Sequence, residues 1–154
     1  MDVFSRTFLP AAAEAGLAVQ TVSRHMSIFR RCVGSGDATI LVARCSRPDR
    51  PVAADHLLLL THHRLVVIQQ SRVLHRLRLH LNSELRDLSN VNWHADPRSP
   101  AIELAVTAID GIRERFVIPA HHPKQLWHLD ALFGQAFRLQ PPGTPARPDA
   151  AVAG

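Results

Sequence analysis

Residues 101–118 read AIELAVTAIDGIRERFVI, two runs of alternating apolar residues separated by Asp110-Gly111. A period of two places Ile102, Leu104 and Val106 on one face of a strand, and Asp-Gly marks a reversal of direction. A two-residue loop would pair Leu104 with Val117 and set Arg113 and Arg115 on the face of the apolar side chains. A three-residue loop, Ile109-Asp110-Gly111 with Gly111 left-handed, instead pairs Ile102 with Ile118 and Leu104 with Phe116. The second register keeps the faces consistent. It gathers Glu103, Arg113 and Arg115 outside and leaves Glu114 inside, near the turn, within reach of solvent.

Working outward, Pro119 ends the alternation and the period changes. Leu126, Leu129, Phe133, Ala136 and Phe137 form one helical stripe with Leu132 at its border, and Pro123 suits a first turn. Towards the N-terminus, residues 38–45, 56–61, 64–70, 73–81 and 88–94 read as further strands. In 73–81 the residues Val73, Leu77, Leu79 and Leu81 share one face, and Arg76, Arg78 and His80 share the other. The loop after residue 45 is stiffened by Pro48 and Pro51 and carries Arg47 and Arg50. Residues 1–33 read as a helical extension, with Phe4, Phe8, Ala12, Ala15, Val19 and Val22 at helical spacing and Pro10 forcing a break or a helix start. Gly34-Ser35-Gly36-Asp37 is turn chemistry between the two patterns. Residues 141–154 are Pro-rich and read as a disordered tail. The expected organisation is an extension at 1–33, one domain at 34–140 and the tail. Strands followed by a terminal helix give an α+β class rather than a parallel α/β sheet.

A chain of 154 residues with 46% hydrophobic content sustains one ordinary core. Cys32 and Cys45 form no CxxC pair and no disulfide framework, which fits a reducing compartment. Asp2, Pro10 and Glu14 interrupt any signal-peptide core, and no apolar run approaches the roughly 20 residues of a spanning helix. The net charge is +5, and every basic side chain but Lys124 is Arg, a bias that GC-rich bacterial coding also produces.

Catalytic chemistry finds little support. There is no GxxxxGK[ST] loop, no GxGxxG turn and no nucleophile elbow, and the carboxylates are scattered. The 10 histidines include His62-His63 and His121-His122, which with Cys32 and Cys45 offer zinc-ligand chemistry. They lack HExxH or paired-cysteine spacing, so no metal and no cofactor is assigned. Nucleic-acid binding, like a zinc-dependent activity, stays only a third alternative, because base stacking needs aromatics on the sheet, and Trp93 and Phe116 are the only ones in the strand region.

The stretch LLLLTHHRLVVI, residues 57–68, resembles the Leu-Thr-x-x-Arg-Leu hairpin of bacterial pleckstrin-homology-like and GRAM-like domains through Leu60, Thr61, Arg64 and Leu65. The resemblance spans residues 36–139; the N-terminal extension has no counterpart in it. It implies about seven antiparallel strands, as a bent sheet or partly open barrel capped by the C-terminal helix. It also implies headgroup-binding basic residues near the first loop, which nominates Arg44, Arg47 and Arg50, although a lysine-containing headgroup pattern is missing. The preferred expectation is a non-catalytic module docking an unknown protein partner through a strand edge or an Arg-bearing face that includes Arg64, Arg72, Arg76, Arg78 and His80. The alternative is peripheral binding of anionic phospholipid headgroups. The expected location is cytoplasmic, or for the alternative the inner face of a membrane.

Overall fold

The extension folds as two helices, α1 (Val3–Glu14) and α2 (Val19–Cys32), in a computed structural model that describes residues 2–49 and 54–138. Arg50 and the tail at 141–154 lie outside the described residues. Pro10 does not break α1 but sits inside it on the exposed side, where its missing N–H forfeits a single bond. The break comes at Gly16, with φ +74°. Its N–H reaches the Ala13 carbonyl at 3.0 Å and that of Leu17 reaches Ala12 at 3.1 Å, a Schellman ending that needs glycine's left-handed conformation. At the other end the Asp2 carboxylate accepts from the Ser5 N–H at 2.8 Å and caps the helix.

The chain forms two compact units. The first holds α1, α2 and an antiparallel sheet ordered β1 (Thr39–Cys45), β2 (Ala54–Thr61), β3 (Arg64–Ser71) and β4 (Leu77–Glu84, within this unit to Asn82). Leu57 pairs with Ile68 and Leu59 with Val66, while Leu58 pairs with Val67 and Leu60 with Leu65. The first set packs with Val42 against Phe4, Phe8 and Phe29 from the helices. The rings of Phe4 and Phe8 stack at 5.2 Å and Phe29 meets Phe8 edge-on at 5.7 Å, geometries that suit the aromatic quadrupole. The second set is also fully buried. Unbroken apolar runs, rather than alternation, are what a strand covered on both faces requires.

The β2–β3 turn explains the Thr-x-x-Arg spacing. The Thr61 hydroxyl accepts from the N–H groups of His63 (3.2 Å) and Arg64 (2.9 Å) and donates to the buried Asp37 carboxylate at 2.6 Å. His63 Nδ1 lies 3.0 Å from the other Asp37 oxygen.

The second unit contains the short segment from Ser46, a 3-10 turn at Leu85–Asp87, and a sheet ordered β5 (Ser89–Asp96), β6 (Ala101–Thr107) and β7 (Arg113–Pro119), followed by α3 (Pro123–Arg138). Ile102 pairs with Ile118 and Leu104 with Phe116, the register of the three-residue loop. The Ala108 N–H bonds to the Ile112 carbonyl at 3.0 Å, and Gly111 takes φ +86°. Arg115 pairs with Glu103 on the outer face at 2.8 Å. Glu114 differs from expectation: it is 9% exposed, and an Arg47 guanidinium nitrogen lies 3.7 Å away.

Helix α3 packs on β5 and β6. Leu126, Leu129, Phe133, Ala136 and Phe137 are buried, as the stripe predicts. Trp93 of β5 stacks near Phe137 at 5.8 Å and donates its indole N–H to Asp130 at 2.9 Å, which satisfies the polar end of a half-buried ring. Two open antiparallel sheets with helices before and after them make the α+β class that the element order predicts.

Candidate functional site

Residues 73–81 do not form one strand. After β3 the chain makes a tight turn and β4 begins only at Leu77. The Ser71 N–H reaches the Arg76 carbonyl at 3.0 Å, the His75 N–H reaches the Ser71 carbonyl at 2.9 Å, and the Leu74 N–H reaches the Ser71 hydroxyl at 3.3 Å. His75 adopts φ +54°, an uncommon conformation that reverses the chain. Its carbonyl accepts from Arg24 of α2 at 2.5 Å. Val73 therefore does not share a face with Leu77. It projects from the tip at 86% exposure beside Leu74 at 63%.

This tip is bordered by cations. Arg72 pairs with Asp55 at 3.2 Å. Arg76 and Arg78 are exposed and, among the described residues, have no acidic partner. Arg76 belongs to the turn, so only Arg78 and His80 share a face of β4. The His80 ring meets that of His56 edge-on at 5.7 Å. Arg64 opens β3 and donates to the Asn82 side-chain oxygen at 2.9 Å. Of the residues expected to form one cationic face, the turn thus brings together Arg72, Arg76 and Arg78, while Arg64 and His80 are engaged with neighbouring strands.

The first-loop nominees separate. Arg44 is exposed in β1. Arg47 is half-buried, between Asp49 at 3.5 Å and Glu114 at 3.7 Å, so a headgroup would have to compete with two carboxylates. Arg50 lies outside the described residues.

Reactive groups are muted. Burial pushes the Cys45 thiol up to about 12, and burial also raises that of Cys32, so neither is held as the nucleophilic thiolate. Thr61, Asp37 and His63 bring hydroxyl, carboxylate and imidazole together, but the hydroxyl is fully buried and donates to the carboxylate. That is turn construction rather than an activated nucleophile. Among the described residues no three His, Cys, Asp or Glu side chains come together as a metal would require. No helix of the described residues is long and apolar enough to cross a membrane.

The tip was the feature hidden from sequence. Val73-Leu74 between Arg72 and Arg76 was its one visible signal, masked by the alternation that continues through Leu81.

No family model matches the chain, and no curated protein matches it. Among solved structures, a Vav1 structure titled as inhibited by an allosteric inhibitor aligns at 11% identity and TM-score 0.44, covering 68% of this chain and 28% of that one. The apo structure of an activated truncation of Vav1 aligns at 11% identity and TM-score 0.47, covering 80% and 34%. The chain thus spans about a third or less of the structures it matches, and likenesses this distant carry no weight for its role.

Proposed function

We propose that the chain is a non-catalytic, pleckstrin-homology-like binding module that attaches peripherally to an anionic membrane surface through the β3–β4 tip. One observation carries the reading: two adjacent aliphatic side chains, Val73 and Leu74, stand in solvent on a hydrogen-bonded turn bordered by Arg72, Arg76 and Arg78. Such a tip is convex, so it suits a deformable interface better than a flat rigid one. Each aliphatic side chain contributes about 1.5–3 kcal/mol if fully withdrawn from water, and each arginine about 1 kcal/mol near an anionic leaflet. These magnitudes correspond to reversible attachment rather than insertion. Arg47 is left in a lesser role because it is already paired with Asp49 and Glu114; Arg44 lies on β1 rather than at the tip.

Flotation with phosphatidylglycerol or cardiolipin vesicles tests this. The expected result is binding that weakens with salt, is absent on phosphatidylcholine, and falls at least about tenfold for Val73→Asp/Leu74→Asp. Equal binding by that variant, or none by the parent, overturns the reading.

A second reading is docking of a protein partner along β4. It is favoured by the place of β4 at the end of its sheet, with Arg78 and the 44%-exposed Leu79 on it, since an edge strand offers unpaired backbone groups to an added strand. Under this reading Arg78→Glu abolishes recovery of a partner in pull-downs, whereas the tip variant does not.

A further inference from the structure

At the end of the first sheet, where α2 begins, a cleft of about 90 Å³ opens between helix and strands. Its floor is two rungs of the ladder. Arg44 pairs with Leu57, and Asp55 with Gln70. Leu57 belongs to the helix-facing core, and the period of two puts Asp55 on that same face. The roof is Thr21 and His25, one turn apart on α2. His25 is only 3% exposed, and its Nδ1 lies 2.8 Å from the Thr21 carbonyl. That carbonyl can only accept, so Nδ1 carries the hydrogen and Nε2 is the ring's acceptor atom.

The charges in this cleft do not cancel among themselves. Asp55 is engaged by Arg72 through both Nε and Nη2, each 3.2 Å from the same oxygen. Arg44, among the described residues, has no acidic partner. One uncommitted guanidinium therefore borders a small polar cleft with a committed carboxylate opposite. We infer that this cleft is a binding site for a single carboxylate group, held by the Arg44 fork. A guanidinium matches a carboxylate geometrically, two N–H groups to two oxygens. A phosphate dianion fits less well, because its second charge would face Asp55. The cleft admits a carboxylate on a short stem. The site goes beyond the membrane reading, and of the tip residues named for that reading only Arg72 takes part, through its pairing with Asp55.

The test is a ¹H–¹⁵N titration of the full chain with sodium acetate, with sodium chloride at matched ionic strength and inorganic phosphate as parallel probes. The expected result is saturable shifts at Thr21, Gln70 and the His25 ring with acetate and none with chloride. Arg44→Gln, with spectral dispersion retained, raises the half-saturating acetate concentration about tenfold, and Arg44→Lys, which keeps the charge but not the fork, falls between. A capped glutamate amide binding more tightly than acetate assigns the carboxylate to a peptide side chain, and the reverse order assigns it to a free acid. Shifts that follow chloride, tighter binding of phosphate, or an Arg44→Gln variant that titrates like the parent overturn the inference.

Discussion

Thr61 holds its hairpin with one hydroxyl that accepts from two backbone N–H groups and donates to Asp37. Thr61→Val keeps the shape and removes all three bonds, leaving a buried carboxylate short of a donor. It should cost about 1–3 kcal/mol in urea unfolding, with Thr61→Ser restoring most of it. The spacing of Thr61 and Arg64 was visible in the sequence. Asp37 was not, because it reaches the turn from another strand entry, 24 residues away. His25 gives a pH-dependent term. Burial lowers its pKa from 6.5, ahead of the opposing effect of its Thr21 bond. The unfolded chain therefore takes up the proton first, and stability falls as pH drops below about 6.5 towards the folded value. Asp2 acts in the same direction at lower pH: hydrogen bonding from Ser5 holds its pKa below 3.8, so its contribution is present above 3.8 and lost as pH falls through the folded value. Urea midpoints measured across this range should decline with acid, and His25→Gln should flatten the step nearest pH 6.5.

Helix α3 shows the same logic at the level of an element. Phe133 is fully buried and its ring lies 6.2 Å from those of Trp93 and Phe137. Phe133→Ala should destabilise by about 3–5 kcal/mol and alter Trp93 fluorescence in the native state, while Trp127→Ala, at a 54%-exposed position, should change stability by no more than about 0.5 kcal/mol. The stripe and the β6–β7 register were legible because each depends on spacing within one or two neighbouring elements. The start of β4 was not. The alternation of Leu77, Leu79 and Leu81 extends back to Val73, and nothing in that pattern reveals that His75 takes a left-handed conformation which turns Val73 outward. Pro10 misled similarly: a proline on an exposed helical face costs one bond, whereas the helix ends at Gly16, where the Schellman position calls for glycine.

Across the molecule, the four-residue apolar runs of β2 and β3 carried more information than their length suggested, since burying both faces of a strand requires a cover on each. For one face the cover is α1 and α2. A chain shortened to begin at Gly34 exposes Val42, Leu57, Leu59, Val66 and Ile68 together. It should elute as aggregate and bind a hydrophobic dye, where the full chain does neither. The two thiols differ in a way that bears on how often the native structure opens. With Cys45 buried in β1 and its thiol pushed up to about 12, while Cys32 is only half-buried at the end of α2, an alkylating reagent should modify Cys32 first, though burial raises that thiol as well. Cys45 should wait for the strand to breathe. Its lag, followed by mass spectrometry, becomes a stopwatch for excursions that leave no trace in a static view, and simultaneous labelling of both sites would reveal an interior far looser than its packing implies.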